Sequence, residues 1–157
     1  MCPADDAVVV RRLAVPRDDA LDEIHDVLAG FWAEADTVPS HRPPEVWRHL
    51  FDTAVIEVAS NIVRHAYPSS ARSGRIVVRL RLHSDRAEAW LLDGGRVFVE
   101  PTLVSPPSSA DAIEGLPEVG YGLPIARAAL DELEYRRSRF GTNVWHLVKY
   151  CDCREAQ

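Results

Sequence analysis

The stretch Glu57-Val58-Ala59-Ser60-Asn61-Ile62-Val63-Arg64-His65-Ala66-Tyr67 closes a long helical pattern that begins near Pro44. Residues four apart share a helix face, so Glu57 and Asn61 project side by side, with His65 one turn further on. The opposite stripe, Phe51, Val55, Val58 and Ile62, is apolar and predicts a face buried against a core. A carboxylate and a carboxamide one turn apart both offer oxygen ligands, which suit a hard cation and its hydration water. The same pair also suits a solvated polar face with a capping role. Taken alone, the stretch leaves both readings open.

Composition narrows the field. A chain of 157 residues is expected to be one domain, 1–157 with a core of about 8–150, large enough to bury its own core without staples. The formal net charge is −6 with no basic block, which gives no electrostatic support for direct nucleic-acid or membrane binding. No run has the length of a membrane span, and Met1-Cys2-Pro3-Ala4-Asp5-Asp6 lacks the basic-then-apolar start of a signal peptide, so a cytoplasmic location is expected. Lys149 is the single lysine, and it is followed by Tyr150. A P-loop requires Gly-Lys-Ser/Thr and a eukaryotic-type kinase a strand lysine paired to a helix glutamate, so neither machine is present. Cys2, Cys151 and Cys153 are too few and too terminal for a disulfide framework and read as free thiols on a frayed tail.

Along the chain, Val8 to Val15 is short and β-branched, bounded by Pro16, and predicts a first strand at an edge. Asp18 and Asp19 stand where a helix N-cap is wanted, and Leu21, Ile24, Leu28, Phe31 and Ala35 follow at helical spacing, with Trp32 broadening the face. Thr37 to Pro44 is a proline-rich loop before the long helix, and Pro68 to Gly74 a turn-rich linker after it. Ile76, Val78, Leu80 and Leu82 alternate with Arg79, Arg81 and His83, Ser84-Asp85 makes a tight turn, and Ala87 to Leu92 returns. Such a one-sided hairpin suits an antiparallel sheet covered by helices on one face.

Asp93-Gly94-Gly95 ends that return strand, and Phe98 to Glu118 is a long aperiodic loop of the kind that is functional or disordered. Gly120-Tyr121-Gly122 opens a helix expected over Leu123 to Leu133, and strands are expected at about Glu134 to Arg139 and Thr142 to Tyr150, joined at Phe140-Gly141. His25, His49, His83 and His146 show no metal-ligand spacing and read as surface or strand-face positions. A glycine pair before a helix lets backbone amides approach an anion at the positive end of the helix dipole.

Taken in order, the Glu57/Asn61 helix, the Asp93-Gly94-Gly95 strand end, the Gly120-Tyr121-Gly122 helix start and Gly141-Thr142 resemble the GHKL ATPases, which include gyrase, histidine kinases and MutL. The runs Asn61 to Tyr67, Gly120-Tyr121-Gly122-Leu123-Pro124-Ile125-Ala126 and Gly141-Thr142-Asn143-Val144 are most similar to anti-sigma factor serine kinases of the RsbW/SpoIIAB type.

That resemblance implies an α+β, two-layer sandwich of the Bergerat ATP-binding type, with a mostly antiparallel sheet and helices on one face. It implies ATP and Mg²⁺ as cofactors, with Asn61 as the magnesium ligand and Glu57 as the catalytic base. Asp93 would accept from the adenine amino group, Gly95 would let the base lie close, and Thr142 would support the adenine end. Gly120, Gly122 and Leu123 would contribute at the phosphates, and the loop from about Val99 to Glu118 would be the ATP lid. His65 would structure the helix end near the pocket. The implied activity is protein serine/threonine kinase in transcription regulation and stress response, with a sigma factor and an anti-anti-sigma STAS-domain protein as partners and a homodimer as the assembly. The alternative is a catalytically weak or inactive module that acts by sequestration alone.

One departure stands out. The family pattern Asp-x-Gly-x-Gly is here Asp93-Gly94-Gly95-Arg96-Val97, so Val97 occupies the second glycine position. If that position needs positive φ or close approach to the nucleotide, a β-branched residue costs about 1–3 kcal/mol, enough for a ~10-fold loss of ATP affinity.

Overall fold

A computed structural model of the chain describes residues 7–38, 42–68, 74–100 and 121–151. Within them the order is β1 (Val9–Pro16), α1 (Ala20–Ala35), α2 (Glu45–His65), β2 (Arg75–Leu82), β3 (Arg86–Asp93), α3 (Gly122–Ala129), β4 (Glu132–Arg137) and β5 (Asn143–Tyr150). The five strands form one sheet in the order β1-β2-β3-β5-β4, every neighbouring pair antiparallel. β1 lies at an edge, as its short β-branched run predicts.

Strand alternation decides which face is covered. Ile76, Val78, Leu80 and Leu82 of β2 and Ala87, Ala89 and Leu91 of β3 are all buried, while the residues between them are half-buried or exposed. α1 packs on β1 and β2, α2 packs on β3 and β5, and α3 lies on α2 and reaches β4. The result is a two-layer α+β sandwich with its helices on one face. α1 buries Ile24, Leu28, Phe31 and Trp32, and α2 buries Phe51, Val55, Val58 and Ile62, the stripe its periodicity predicts. Each fully buried Ile, Leu, Val or Phe among them contributes about 1.5–3 kcal/mol. On the uncovered face Trp90 stacks on His146 with centroids 4.6 Å apart, and Arg79 and Arg81 lie over the Trp90 ring.

Several details differ from the sequence-based expectation. α3 ends at Ala129 rather than Leu133, and β4 begins at Glu132 rather than Glu134. Leu130 and Leu133 suit either period, and tertiary partners decide between them. Lys149 Nζ donates to the Ala129 carbonyl at 2.6 Å, Leu130 is extended, and Asp131 N–H donates to the Val148 carbonyl at 3.0 Å. His83 is not a surface residue: it is buried at the β2–β3 turn, with its ring 3.7 Å from the Glu88 carboxylate. Cys151 is disulfide-bonded rather than a free thiol on a frayed end, and its N–H donates to the Asp85 carbonyl at 2.7 Å. Cys2 and Cys153 lie outside the described residues, as do Gly120 and positions 101–118 of the expected lid. Among the described residues, no helix is long and apolar enough to cross a membrane.

Candidate functional site

The C-terminal half of α2 carries the first group of predicted site residues. Glu57 and Asn61 are both half-buried on the side away from Val58 and Ile62, while Arg64 and His65 are exposed. With a rise of about 1.5 Å per residue, Glu57 and Asn61 sit roughly 6 Å apart along the helix axis. α3 reaches this face at its first residue. A β-carbon built on Gly122 would stand 2.5 Å from Glu57 Oε2, so the absent side chain is what lets the start of α3 close on the carboxylate. A carboxylate at the start of a helix also lies at the positive end of its dipole. Leu123, the next residue, has its side chain in the buried core.

The C-terminal tip of α2 meets the turn that follows β3. A β-carbon on Gly95 would collide with the carbonyl oxygen and Cβ of Ala66, and Arg96 N–H donates to that same carbonyl at 2.6 Å. Gly95 is therefore required by close approach, not by a left-handed backbone. Gly141, in the β4–β5 turn with φ 84°, is the one described residue with positive φ. Val97 consequently carries no backbone strain of that kind, and its side chain is 53% exposed. This answers one half of the sequence-based concern about the altered second glycine.

Asp93 is the last residue of β3 and is 3% exposed. Its Oδ1 accepts from Gly95 N–H at 2.8 Å and from Asn143 Nδ2 at 2.8 Å. Its Oδ2 is buried and has no hydrogen-bond partner among the described residues. Burial pushes the Asp93 carboxyl above the ordinary carboxylate value, against the bonds from Asn143 and Gly95 and the positive charge of Arg137. Tyr67, just past α2, accepts from Gly94 N–H through its hydroxyl at 3.2 Å. An acceptor desolvated without a donor is costly to keep, which marks Oδ2 as a place for an incoming N–H.

Thr142 is half-buried in the β4–β5 turn, where its N–H donates to Ser138 Oγ at 3.1 Å and its carbonyl accepts from Ser138 N–H at 2.8 Å. It is the next residue, Asn143, that reaches Asp93, directly opposite it in the β3–β5 register. Sequence reading includes Asn143 in a motif run without giving it a role, and it passes over Tyr135 and Arg137, which hold its carboxamide oxygen at 2.8 and 2.6 Å. The strand register supplies that contact between residues fifty positions apart, and no local pattern announces it.

The donor set suits the groups implied by the motifs. The unpartnered Asp93 Oδ2 beside the close Gly95–Ala66 approach fits a purine carrying an exocyclic amine. The adjacent oxygen donors of Glu57 and Asn61 fit a magnesium ion otherwise held by phosphates and water. Along α2 and its C-cap, Glu57, which Gly122 touches, and Ala66, which Gly95 touches, are roughly 14 Å apart by helical rise.

Residues 18–147 of the chain match the histidine kinase-like ATPase domain. Similar proteins include the serine-protein kinase RsbW of Bacillus mycoides (strain KBAB4), 34% identical over 84 residues, 52% of this chain and 51% of the relative. Another is the serine-protein kinase RsbW of Bacillus cereus (strain AH187), 33% identical over 84 residues with the same coverage. The chain spans about half the length of the curated relatives it matches. With the antiparallel sheet, its one-sided helices and the match running from α1 into β5, the chain belongs to the histidine kinase-like ATPase domain family.

Proposed function

We propose that this protein is an ATP-dependent protein serine/threonine kinase of the anti-sigma type. It binds Mg-ATP, phosphorylates a serine or threonine of an anti-anti-sigma STAS-domain partner, and sequesters a sigma factor, acting as a homodimer in the cytoplasm. The observation that carries the nucleotide part is the buried, unpartnered Oδ2 of Asp93 at a turn pressed onto the end of α2. The serine-kinase part is supported by the similarity to serine-protein kinases and by Glu57 lying against the start of α3. The sigma-factor, STAS and dimer parts rest on the sequence resemblance.

In this reading Asp93 and Gly95 seat the adenine, Thr142 supports that end, and Gly122, with Gly120 outside the described residues, faces the phosphates. Asn61 is the protein ligand for Mg²⁺, which when bound would neutralise charge on the phosphate oxygens. Glu57 takes the proton of the acceptor hydroxyl as that oxygen bonds to the γ-phosphorus. The bond from the γ-phosphorus to the β–γ bridging oxygen breaks, its electron pair leaving on ADP. Such a transfer is mostly positioning and charge stabilisation, so no lysine is required.

The alternative, sequestration without transfer, draws its support from Val97. Since Val97 has no left-handed backbone, what remains of that support is the bulk of its side chain. Calorimetric titration with Mg-ATP, followed by transfer of the γ-phosphate to a STAS-domain protein, tests the proposal. Heat and transfer are expected. Absence of heat at millimolar nucleotide removes the kinase reading, and binding without transfer leaves the sequestration module.

A further inference from the structure

We propose that Asn143 is a positioning residue for base recognition: its carboxamide holds Asp93 so that Oδ2 alone is offered to the amino group of the base. This inference rests on the nucleotide reading above and assigns a role that neither the sequence motifs nor the matched relatives give to Asn143.

The carboxamide is 1% exposed and every one of its valences is used. Its oxygen accepts from Tyr135 Oη at 2.8 Å and from Arg137 Nη1 at 2.6 Å. Its nitrogen donates to Asp93 Oδ1 and to the Arg96 carbonyl, each at 2.8 Å, with the Gly95 carbonyl further away at 3.4 Å. Two donors on one side and three acceptors on the other fix the orientation of the amide, because the flipped form would set its oxygen against a carboxylate and two carbonyls. Asp93 cannot rotate freely in this setting, since Oδ1 is held by both Asn143 and Gly95 N–H. What is left is one buried acceptor with a fixed direction.

The same side chain ties the base end to the chain that leads toward the expected lid. Asn143 holds Arg96, Arg137 Nη1 donates to the Gly95 carbonyl at 3.0 Å, and Tyr135 Oη accepts from Phe98 N–H at 2.9 Å. A hydroxyl at position 143 has a single proton, so a threonine could not donate to Asp93 and Arg96 together. The charged and titratable groups facing Asp93 are Arg137 and Tyr67, with Arg17 5.9 Å from the Tyr67 ring. Loss of the Asn143 side chain removes a hydrogen bond that favours the ionised carboxyl, while Arg137 keeps its bond to the Gly95 carbonyl.

The test pairs two readouts on the full chain. The first is calorimetric affinity for ATP and for purine riboside triphosphate, which lacks the exocyclic amine, in wild type and Asn143→Ala. The second is the Asp93 carboxyl titration of the free protein by NMR. Wild type is expected to favour ATP by about tenfold or more, the worth of one hydrogen bond to a charged acceptor. Asn143→Ala is expected to lose most of that preference, with Asp93 titrating at higher pH. Tyr135→Phe, which keeps the Asn143 amide but removes one of the two donors to its oxygen, is expected to shift both readouts the same way by less, and it serves if Asn143→Ala does not fold. A preference for ATP retained in the variant, or an unmoved Asp93 titration, overturns the role of Asn143 alone. Wild type that binds neither nucleotide overturns the functional reading beneath it.

Discussion

Gly122 lies directly against the carboxylate of Glu57, so closely that a β-carbon there would stand 2.5 Å from Oε2. The contact ties the start of α3 to the helix that carries the proposed base. Gly122→Ala is therefore expected to displace either Glu57 or the α3 terminus. Alanine is the better helix former by about 1 kcal/mol, so stability should change little. Phosphotransfer should fall by ~10²-fold, the usual cost of misplacing a reacting group by an ångström. A variant that transfers phosphate at the wild-type rate would show that the contact is incidental.

Glu57→Gln removes the base while keeping the shape of the side chain against Gly122. Nucleotide affinity is expected to stay near wild type, and transfer to a STAS-domain protein to drop by about 10²–10⁴-fold. Single-turnover transfer measured beside calorimetry separates the two effects. Unchanged transfer would take Glu57 out of the mechanism.

The two positions of the altered glycine motif should respond differently. Gly95→Ala forces a β-carbon onto the Ala66 backbone and is expected to cost about 1–3 kcal/mol in urea unfolding. Val97→Gly relieves no left-handed strain, because Val97 has none, and costs about 0.5–1 kcal/mol in chain entropy. Its ATP affinity is expected within about threefold of wild type, well under 1 kcal/mol. Tenfold tighter binding would instead show that the valine side chain obstructs the nucleotide.

Nucleotide binding should depend on pH through Asp93. Its folded-state pKa is raised by burial, and an N–H donated to Oδ2 favours the charged form. ATP binding is then expected to release a proton and to tighten as pH rises through the titration of free Asp93, levelling off above it. Calorimetry in two buffers of different ionisation enthalpy reads that proton. Affinity that stays constant as pH is raised through the titration of free Asp93 would place the base elsewhere.

Stability has a related pH dependence at Asp52, which accepts from Trp32 Nε1 at 2.7 Å and whose pKa is raised chiefly by burial. The folded form then binds more protons than the unfolded chain between the ordinary carboxylate value and the raised one. This contribution is present in full below the unfolded pKa and is lost as pH rises through the folded one. Asp52→Asn keeps the acceptor for Trp32 without the charge. It is expected to flatten this part of the pH profile and to raise the urea midpoint at neutral pH, and a lower midpoint there would refute the argument.

What the amino-acid order determined by itself is local and periodic. The helix expected to end near Ala66, its Glu57/Asn61 face and Phe51–Ile62 stripe, the one-sided β2–β3 hairpin and Asp93 at its end all follow from spacings of two, three and four, which backbone geometry converts directly into shared faces. Tertiary structure decided the rest. The end of α3 is set by Lys149 and Val148, twenty residues and seventeen residues beyond the groups they bind, where Leu130 and Leu133 alone suited both periods. His83 is buried by the closure of its hairpin, although its place in the alternation suggested an exposed face. Asn143 meets Asp93 because β3 and β5 pair in one particular register, and Gly122 meets Glu57 because α3 packs on α2. Such contacts depend on how separate elements come together, and a pattern confined to a few neighbouring residues does not contain that information.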